Sequence, residues 1–377
     1  MPARRRKVVF VIDHFIPWKA GTEHQLSMLM PGLPDTWEVE VVVFRPSEAL
    51  DRHAAALGVT HRTITIDNFR SMRCYANIAR LVSHLRSVRP DVVHSFFPVA
   101  NIVGVLAAKL AGVPRIYSSR RDFGEWMSPR YLQATRFANR FVSGVVTNSG
   151  RVKQLTVDVE GVPEKDVHVI ANGIDVDRFA ALPERSACRA TLGLGDDAVV
   201  AGLVANFRPM KRQDSLIRAL AHLKDEYPQF RVVLVGINAT DEDLRQRAMD
   251  LAEELCVRDR VVFTHSDDDI RQLLTCFDIG VNCSEGEGLS NAIMEYMAAG
   301  LACVVSDGGG NPDLIGDGET GLVFSRGDDA ELAAKLKQLL DSPSEREVFG
   351  KRARQQVVER YSIGTMTAEF VALYESA

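Results

Sequence analysis

The chain has 377 residues, 46% of them hydrophobic, with 45 Lys and Arg against 50 Asp and Glu. That is more than one ordinary domain holds and enough for two α/β domains with full cores. No run of about 18 apolar residues exists, so no membrane-spanning helix is expected. The basic start Ala3-Arg-Arg-Arg-Lys7 leads into a strand-length Val8–Ile12 that Asp13 and His14 interrupt, which is not a secretory leader, and a cytoplasmic protein is expected. Cys74, Cys188, Cys256, Cys276, Cys283 and Cys303 are scattered without metal-ligand or disulfide spacing, so most are expected to be small buried residues. Residues 1–185 carry a net +7 and residues 186–377 a net −12. The basic half favours an anionic partner such as a membrane surface or a phosphorylated molecule; no aromatic-interleaved basic stripe or helix-turn-helix pattern supports nucleic acid.

In chain order, Val8–Asp13 reads as a first strand, and Trp18-Lys-Ala-Gly-Thr-Glu-His-Gln-Leu26 as the loop that carries it into a helix, where an α/β sheet presents its ligand loops. Glu38–Phe44 and Arg62–Ile66 alternate as strands, and Met72–Val88 has the helical period. Asp91–Phe97 is a strand, Ala100–Gly112 a helix of small residues, and Pro114–Ser118 a strand. This cadence specifies a parallel, doubly wound sheet. His94, at a strand's carboxyl end, reads equally as a cleft residue and as a structural histidine. Ser143–Asn148 is the next strand, and Val167–Phe179 closes the domain with the turn signal Asn172-Gly173. Asp175-Val-Asp177 matches a bare Asp-x-Asp metal motif, but its position directly after Asn-Gly marks a chance match, and no metal is expected.

A linker, Ala180–Ala198, leads to a second sheet that begins with Val199–Ala205, after which Asn206-Phe-Arg-Pro-Met-Lys211-Arg-Gln-Asp214 opens a helix. Arg231–Gly236 and Val261–His265 are strands and Asp267–Phe277 a helix. Asp278–Cys283 reads as a short buried strand, Glu285-Gly-Glu-Gly288 as a loop bent through its glycines, and Ser290-Asn291 as the N-cap of a helix that runs to the C′ glycine Gly300. Leu289, Ile293, Met294 and Met297 share one arc of that helix, and Glu295 points away from it. Glu287 and Glu295 are then about 12 Å apart at 1.5 Å per residue. A retaining glycosidase needs its two carboxylates about 5 Å apart. The wider spacing suits two grips on one ligand, with the N–H groups of Leu289, Ser290 and Asn291 facing a phosphate; a solvated helix with two surface glutamates is the other reading. Ala330–Leu340, Glu345–Tyr361 and Thr365–Tyr374 are the last helices.

Glu287-Gly-Leu-Ser-Asn-Ala-Ile-Met-Glu295-Tyr-Met-Ala-Ala-Gly300 resembles the E-x7-E signature of retaining glycosyltransferases of family 4. The sequel Cys303-Val-Val-Ser-Asp-Gly-Gly-Gly-Asn-Pro-Asp-Leu-Ile315, with Gly318 and Gly321-Leu-Val, is similar to that family's too. The resemblance implies the α/β GT-B fold, two Rossmann-like domains with doubly wound parallel sheets facing across a cleft. It places an acceptor domain at 1–180, a nucleotide-sugar domain at 181–360, and a helix, 361–377, that crosses back to the first.

The implied activity is retaining, metal-independent transfer of a hexose or N-acetylhexosamine from a nucleoside-diphosphate sugar, expected to be a UDP-sugar. The acceptor class is a glycan, a lipid-linked or a small-molecule acceptor in bacterial polysaccharide or glycoconjugate synthesis, with peripheral association at the inner membrane face. No cofactor beyond the sugar donor and no nucleic acid are implied. By resemblance Glu295 holds the ribose, Glu287 the sugar hydroxyls, Lys211 and Arg208 the diphosphate, and the backbone of Gly288, Leu289, Ser290 and Asn291 the sugar and phosphate. Gly236 opens the loop under the nucleotide, and the base rests near His265–Ile270. Gly21, Thr22 and Glu23 match the family's Gly-Gly-x-Glu loop, with Ala20 in place of its first glycine; Glu23 is assigned to the acceptor with His94, Arg120 and Arg121. The chain departs from the family at Asn206, where relatives have Arg and Arg208 supplies the charge instead, at Asp313, where they have Glu, and at Arg120, where they have His. Guanidinium groups at Arg120 and Arg121 suit bidentate binding of a phosphate or carboxylate, or a surface pair with Asp122. An inactive scaffold, or an epimerase or phosphorylase on the same fold, is the alternative.

Overall fold

The computed structural model describes residues 4–15, 21–47, 50–67, 69–124, 127–240, 242–265 and 269–376. The chain divides into two compact units, Met1–Gly173 with Ile363–Ala377, and Ile174–Ser362.

In the first unit β1 (Arg6–Ile12), β2 (Trp37–Val43), β3 (Thr60–Thr63), β4 (Val92–Phe96), β5 (Arg115–Arg120), β6 (Gly144–Thr147) and β7 (Val167–Val169) form one parallel sheet in the order β3-β2-β1-β4-β5-β6-β7. Val8 to Ile12 are buried without alternation because core lies on both faces of the sheet. At the edge, β3 stops three residues short of the expected Ile66: with one neighbour strand, its continuation is held by the N–H groups of Ile64 and Ile66 on Val43 O and Phe44 O and by Asn77 Nδ2, which donates to Thr65 O at 2.8 Å. The last helix, Ile363–Glu375, belongs to this unit, where Met366, Phe370 and Tyr374 enter the core with Phe10, Phe15 and Trp37. Its Thr367 lies so close to Gly32 that a Cβ there would sit 2.8 Å from the hydroxyl oxygen.

The second unit's sheet contains β8 (Val199–Val204), β9 (Phe230–Val235), β10 (Val261–Thr264), β11 (Ile279–Asn282), β12 (Ala302–Ser306) and β13 (Gly321–Phe324), all parallel, in the order β10-β9-β8-β11-β12-β13. Both sheets therefore wind outward in two directions, and the direction reverses between β1 and β4 and between β8 and β11. In such Rossmann-type sheets a ligand binds outside the carboxyl ends of the strands at that reversal.

Two glycines let large rings lie against the central strands of the second sheet. A Cβ on Gly202 would meet the Phe277 ring at 2.0 Å, and one on Gly280 the Tyr296 ring at 2.5 Å. Tyr296 also ties the helix Asn291–Ala298 to both strands of the reversal, accepting from Val204 N at 2.7 Å and donating to Val281 O at 3.4 Å. Tyr296→Phe removes the acceptor of a half-buried N–H and is expected to cost about 1–2 kcal/mol. A lower urea midpoint with an unchanged m value checks it.

The linker holds a helix the sequence reading did not separate, Arg185–Thr191, capped by the Glu184 carboxylate on Ser186 N and Ala187 N. Of the expected helix Asp267–Phe277, the described residues form a helix over Ile270–Leu274, capped by Asp269, and residues 267 and 268 lie outside the described residues. Cys74, Cys276, Cys283 and Cys303 are buried, Cys188 half-buried and Cys256 exposed, all as free thiols. Among the described residues no helix is long and apolar enough to cross a membrane.

Candidate active site

At the reversal of the second sheet, the loop after β8 carries Lys211 and the loop after β11 carries Glu287. Lys211 Nζ lies 2.6 Å from Glu287 Oε1, both side chains largely buried. Ser284 Oγ donates to the same oxygen at 2.5 Å and Asn282 Nδ2 at 3.3 Å. Burial by itself raises the Glu287 carboxyl, but the Lys211 ammonium and these hydrogen bonds outweigh it and hold the group below the usual glutamate value. Every one of these bonds falls on Oε1; among the described residues Oε2 makes none, so its acceptor capacity is intact.

The glycine run Gly308–Gly310 presses against this loop. Gly310 N donates to Glu287 O at 2.8 Å, and a Cβ on Gly309, whose φ is +58°, would lie 2.2 Å from that same oxygen. Glycine is required there by both conformation and space. Beneath it Ser306 Oγ donates to Ser284 O at 2.6 Å, and Asn311 Nδ2 lies 3.3 Å from Asn282 Oδ1 and 3.2 Å from Ser306 Oγ. Sequence reading missed this buried support of Glu287. Its signal was present in Asn282 and Ser306, polar residues that end the apolar strands β11 and β12.

The other cations of the β8 loop divide by partner. Arg212 is committed to Asp214 and Glu285. Arg208 is exposed, and among the described residues nothing bonds its guanidinium. Asn206 is exposed, its side-chain oxygen accepting from Ile237 N at 3.3 Å. Gly236 is where the next loop passes the β8 loop: a Cβ on it would meet Ala205 O at 2.1 Å.

Leu289 ahead of the signature helix and Ile293, Met294 and Met297 within it are buried, and Glu295 is half-buried. Burial pushes the Glu295 carboxyl from the ordinary 4.5 up to about 7, and the Arg178 charge lowers it only in part. Gly288 and Ser290 are buried and Asn291 is half-buried. Ser290 occupies the N-cap position without capping, because its hydroxyl accepts from Asn282 Nδ2 at 3.1 Å.

The first unit assembles a different environment. Its first described helix starts at the exposed Gly21, followed by Thr22; Trp18, Lys19 and Ala20 of the expected loop lie outside the described residues. Glu23 is buried at 1% exposure, with Oε1 3.2 Å from His14 Nε2. That contact raises the His14 imidazole above its ordinary value, and the ring stacks on Phe97 at 4.6 Å.

His94 is structural: fully buried, it bonds Tyr374 Oη at 2.7 Å and Ser119 Oγ at 2.9 Å, and burial with the Arg121 charge keeps it neutral. Arg120, expected to bind a ligand anion, instead turns inward. Its Nε and Nη2 grip the two oxygens of Glu160 at 2.7 and 2.8 Å, and Nη2 also reaches Asn139. Arg121, bonded to Asn172 instead, lines with Arg120 an open pocket of Thr22, Phe97, Asn101, Tyr131 and Thr135 at the carboxyl ends of β4 and β5.

The chain matches two family models, Glycosyltransferase Family 4 over residues 20–178 and Glycosyl transferases group 1 over residues 184–356. It is 27% identical over 388 residues to the GDP-mannose-dependent α-(1-6)-phosphatidylinositol monomannoside mannosyltransferase of Mycolicibacterium smegmatis, covering 97% of each chain. It is also 27% identical over 297 residues to the sulfoquinovosyl transferase of Arabidopsis thaliana, covering 75% of this chain and 56% of the plant protein's length. Among solved structures, Anabaena HepE in complex with UDP superposes with a TM-score of 0.89 at 23% identity, covering 98% of this chain and 100% of that one. With the parallel sheets of both units and the two models spanning most of the sequence, the chain belongs to glycosyltransferase family 4, with the GT-B fold.

Proposed function

We propose that the second unit binds a nucleoside-diphosphate sugar, with UDP the first candidate nucleotide, and that a hexose or N-acetylhexosamine passes from it to a glycan, lipid-linked or small-molecule acceptor with retention and without a metal. The observation that carries this reading is the Lys211–Glu287 pair at the reversal of the second sheet. As the glycosidic bond lengthens, negative charge grows on the departing diphosphate, and only groups that meet that growing charge accelerate the step. Lys211 and the exposed Arg208 are the cations of that loop assigned to it, since Arg212 is committed to Asp214 and Glu285. Glu287, anchored through Oε1, presents Oε2 to a sugar hydroxyl, and Glu295 accepts the ribose hydroxyls.

Neither carboxylate is assigned a covalent role. In a front-face displacement the acceptor oxygen bonds to the anomeric carbon on the side that the diphosphate leaves, and the leaving phosphate oxygen takes the acceptor's proton. Work at the inner membrane face in bacterial polysaccharide or glycoconjugate synthesis fits the basic first half of the chain.

A thermal-shift panel of UDP, GDP and ADP with their sugars, against wild type and Glu295→Ala, tests the donor site; the complexes of HepE with UDP and UDP-glucose, and the GDP-mannose dependence of the mycobacterial relative, set its composition. One nucleotide is expected to stabilise selectively, by about 2.7 kcal/mol at 100 times its Kd. The shift should weaken in the variant. No shift with any nucleotide sinks the reading.

A further inference from the structure

We infer that the Arg121 pocket of the first unit selects acceptors that carry an anionic oxygen group, phosphoryl or carboxylate, on a hydroxylated body. The word acceptor rests on the transferase reading; the binding chemistry does not.

A guanidinium taken out of water is costly unless a carboxylate meets it. Arg120 has Glu160, and the buried Arg189 has Asp278 at 2.8 Å. Arg121 has no such partner among the described residues: it donates one bond, from Nη2 to the neutral Asn172 Oδ1. Burial alone lowers it to about 10, with no carboxylate opposing the shift, so it remains a cation at neutral pH. Both oxygens of nearby Glu160 are taken by Arg120, and His94 stays neutral. The acid on the lining, Asp122, is exposed and accepts from Gly124 N at 2.9 Å. Of the five donors of a guanidinium, Arg121 spends one on Asn172, and no carboxylate among the described residues pairs with the rest.

Two further features point to a ligand. Asn101 is 6% exposed and Thr135 2%, both line the pocket, and neither Asn101 Oδ1 nor Thr135 Oγ1 has a hydrogen-bond partner among the described residues. Buried polar atoms without partners are uncommon because each costs about 1–3 kcal/mol. Both belong to side chains on the pocket lining. The second feature is Phe97 on the pocket wall, with φ +73° and ψ 162°, a region that is essentially glycine's. Asp13 holds it there by accepting from Val99 N at 3.0 Å and Ala100 N at 2.6 Å, while the ring stacks on His14. Strain of this kind persists where the fold enforces it, and it clusters at binding sites.

The test titrates D-glucose 6-phosphate, D-glucuronate and neutral D-glucose into wild type and Arg121→Gln by calorimetry. Saturating nucleoside diphosphate, as selected by the nucleotide panel, occupies the Lys211 and Arg208 loop. At least one anion is expected to bind wild type more than tenfold tighter than glucose, and which one separates phosphoryl from carboxylate. Arg121→Gln should lose that preference, and Arg121→Lys should keep part of it, as a point charge without the planar fork. The nucleotide shift should be unchanged in both variants, and if Arg121→Gln does not fold, the Arg121→Lys loss is the readout. Equal binding of anion and glucose, or an undiminished preference in the variants, overturns the inference while leaving the donor site intact. Failure of every nucleotide to bind, with anion selectivity retained, overturns the transferase reading instead.

Discussion

Replacing Lys211 by alanine lowers kcat by about 10²–10³-fold, the usual cost of removing one preorganised charge donor from a developing anion. Two effects run in the same direction. The first is direct: on the proposed donor reading the ammonium assigned to the diphosphate is gone, and its contribution is largest in the transition state, so kcat falls with kcat/KM while KM moves less. The second runs through Glu287. With Lys211 removed, the buried carboxylate keeps only Ser284 and Asn282, and the desolvation that the ammonium outweighed comes to dominate. Its carboxyl rises, and a fraction becomes protonated near neutrality.

The wild-type group, held below its ordinary value, contributes stability that is present above the unfolded value and lost as pH falls through the folded one. In Lys211→Ala that sign reverses, so stability declines as pH rises. Lys211→Arg preserves the pairing and separates the two effects: it should restore the wild-type pH dependence of stability and recover only part of kcat. Nucleotide-release kinetics with a parallel urea series at pH 5 and pH 8 read both. A variant that raised KM with kcat unchanged would make Lys211 a ground-state ligand only.

The sheet architecture was legible because uninterrupted apolar runs such as Val8–Ile12 and Val199–Val204 belong to strands covered on both faces. The glycine loop and the helix start of the E-x7-E segment were legible for a similar reason: turn chemistry and helix starts are written locally. What the chain did not disclose is pairing at long range. Nothing near His94 announces that its partner is Tyr374, 280 residues later, and that bond turns an open choice into a core histidine. Arg120 and Arg121 read alike in sequence, yet neighbours at the end of a strand leave on opposite sides. One is paired with the Glu160 carboxylate and the other bonds only the neutral Asn172, and only packing decides which.

The network under Glu287 lay between these extremes. Asn282 and Ser284 are close to Glu287 in the chain, but Ser306 and Asn311 reach it only because β11 and β12 are neighbours.

Glu295→Gln should move stability and nucleotide binding in opposite directions. The folded carboxyl sits at about 7 and the unfolded one at 4.5. Between those values the folded protein holds more protons than the unfolded chain. Stability therefore falls as pH rises through that window, and above pH 7 the whole penalty of the buried charge is present. For a half-buried group that penalty is on the order of 2 kcal/mol. Glutamine does not titrate, so the variant should be more stable than wild type by roughly that amount at pH 8, with the difference shrinking toward pH 5. Nucleotide binding runs the other way. Two vicinal ribose hydroxyls need two strong acceptors, which a carboxylate supplies and an amide does not, and a hydrogen bond to a charged group is worth about 1.5–3 kcal/mol. Affinity should then fall by about one to two orders of magnitude. The same burial makes wild-type binding pH-dependent: the site must ionise Glu295 to accept both hydroxyls, so the nucleotide-induced shift should grow between pH 6 and pH 8 in wild type and stay flat in the variant. Paired melting curves across that range, with and without nucleotide, measure both arms. A variant destabilised at pH 8 would deny that the Glu295 carboxylate carries a burial cost, and an undiminished nucleotide shift would place the ribose elsewhere.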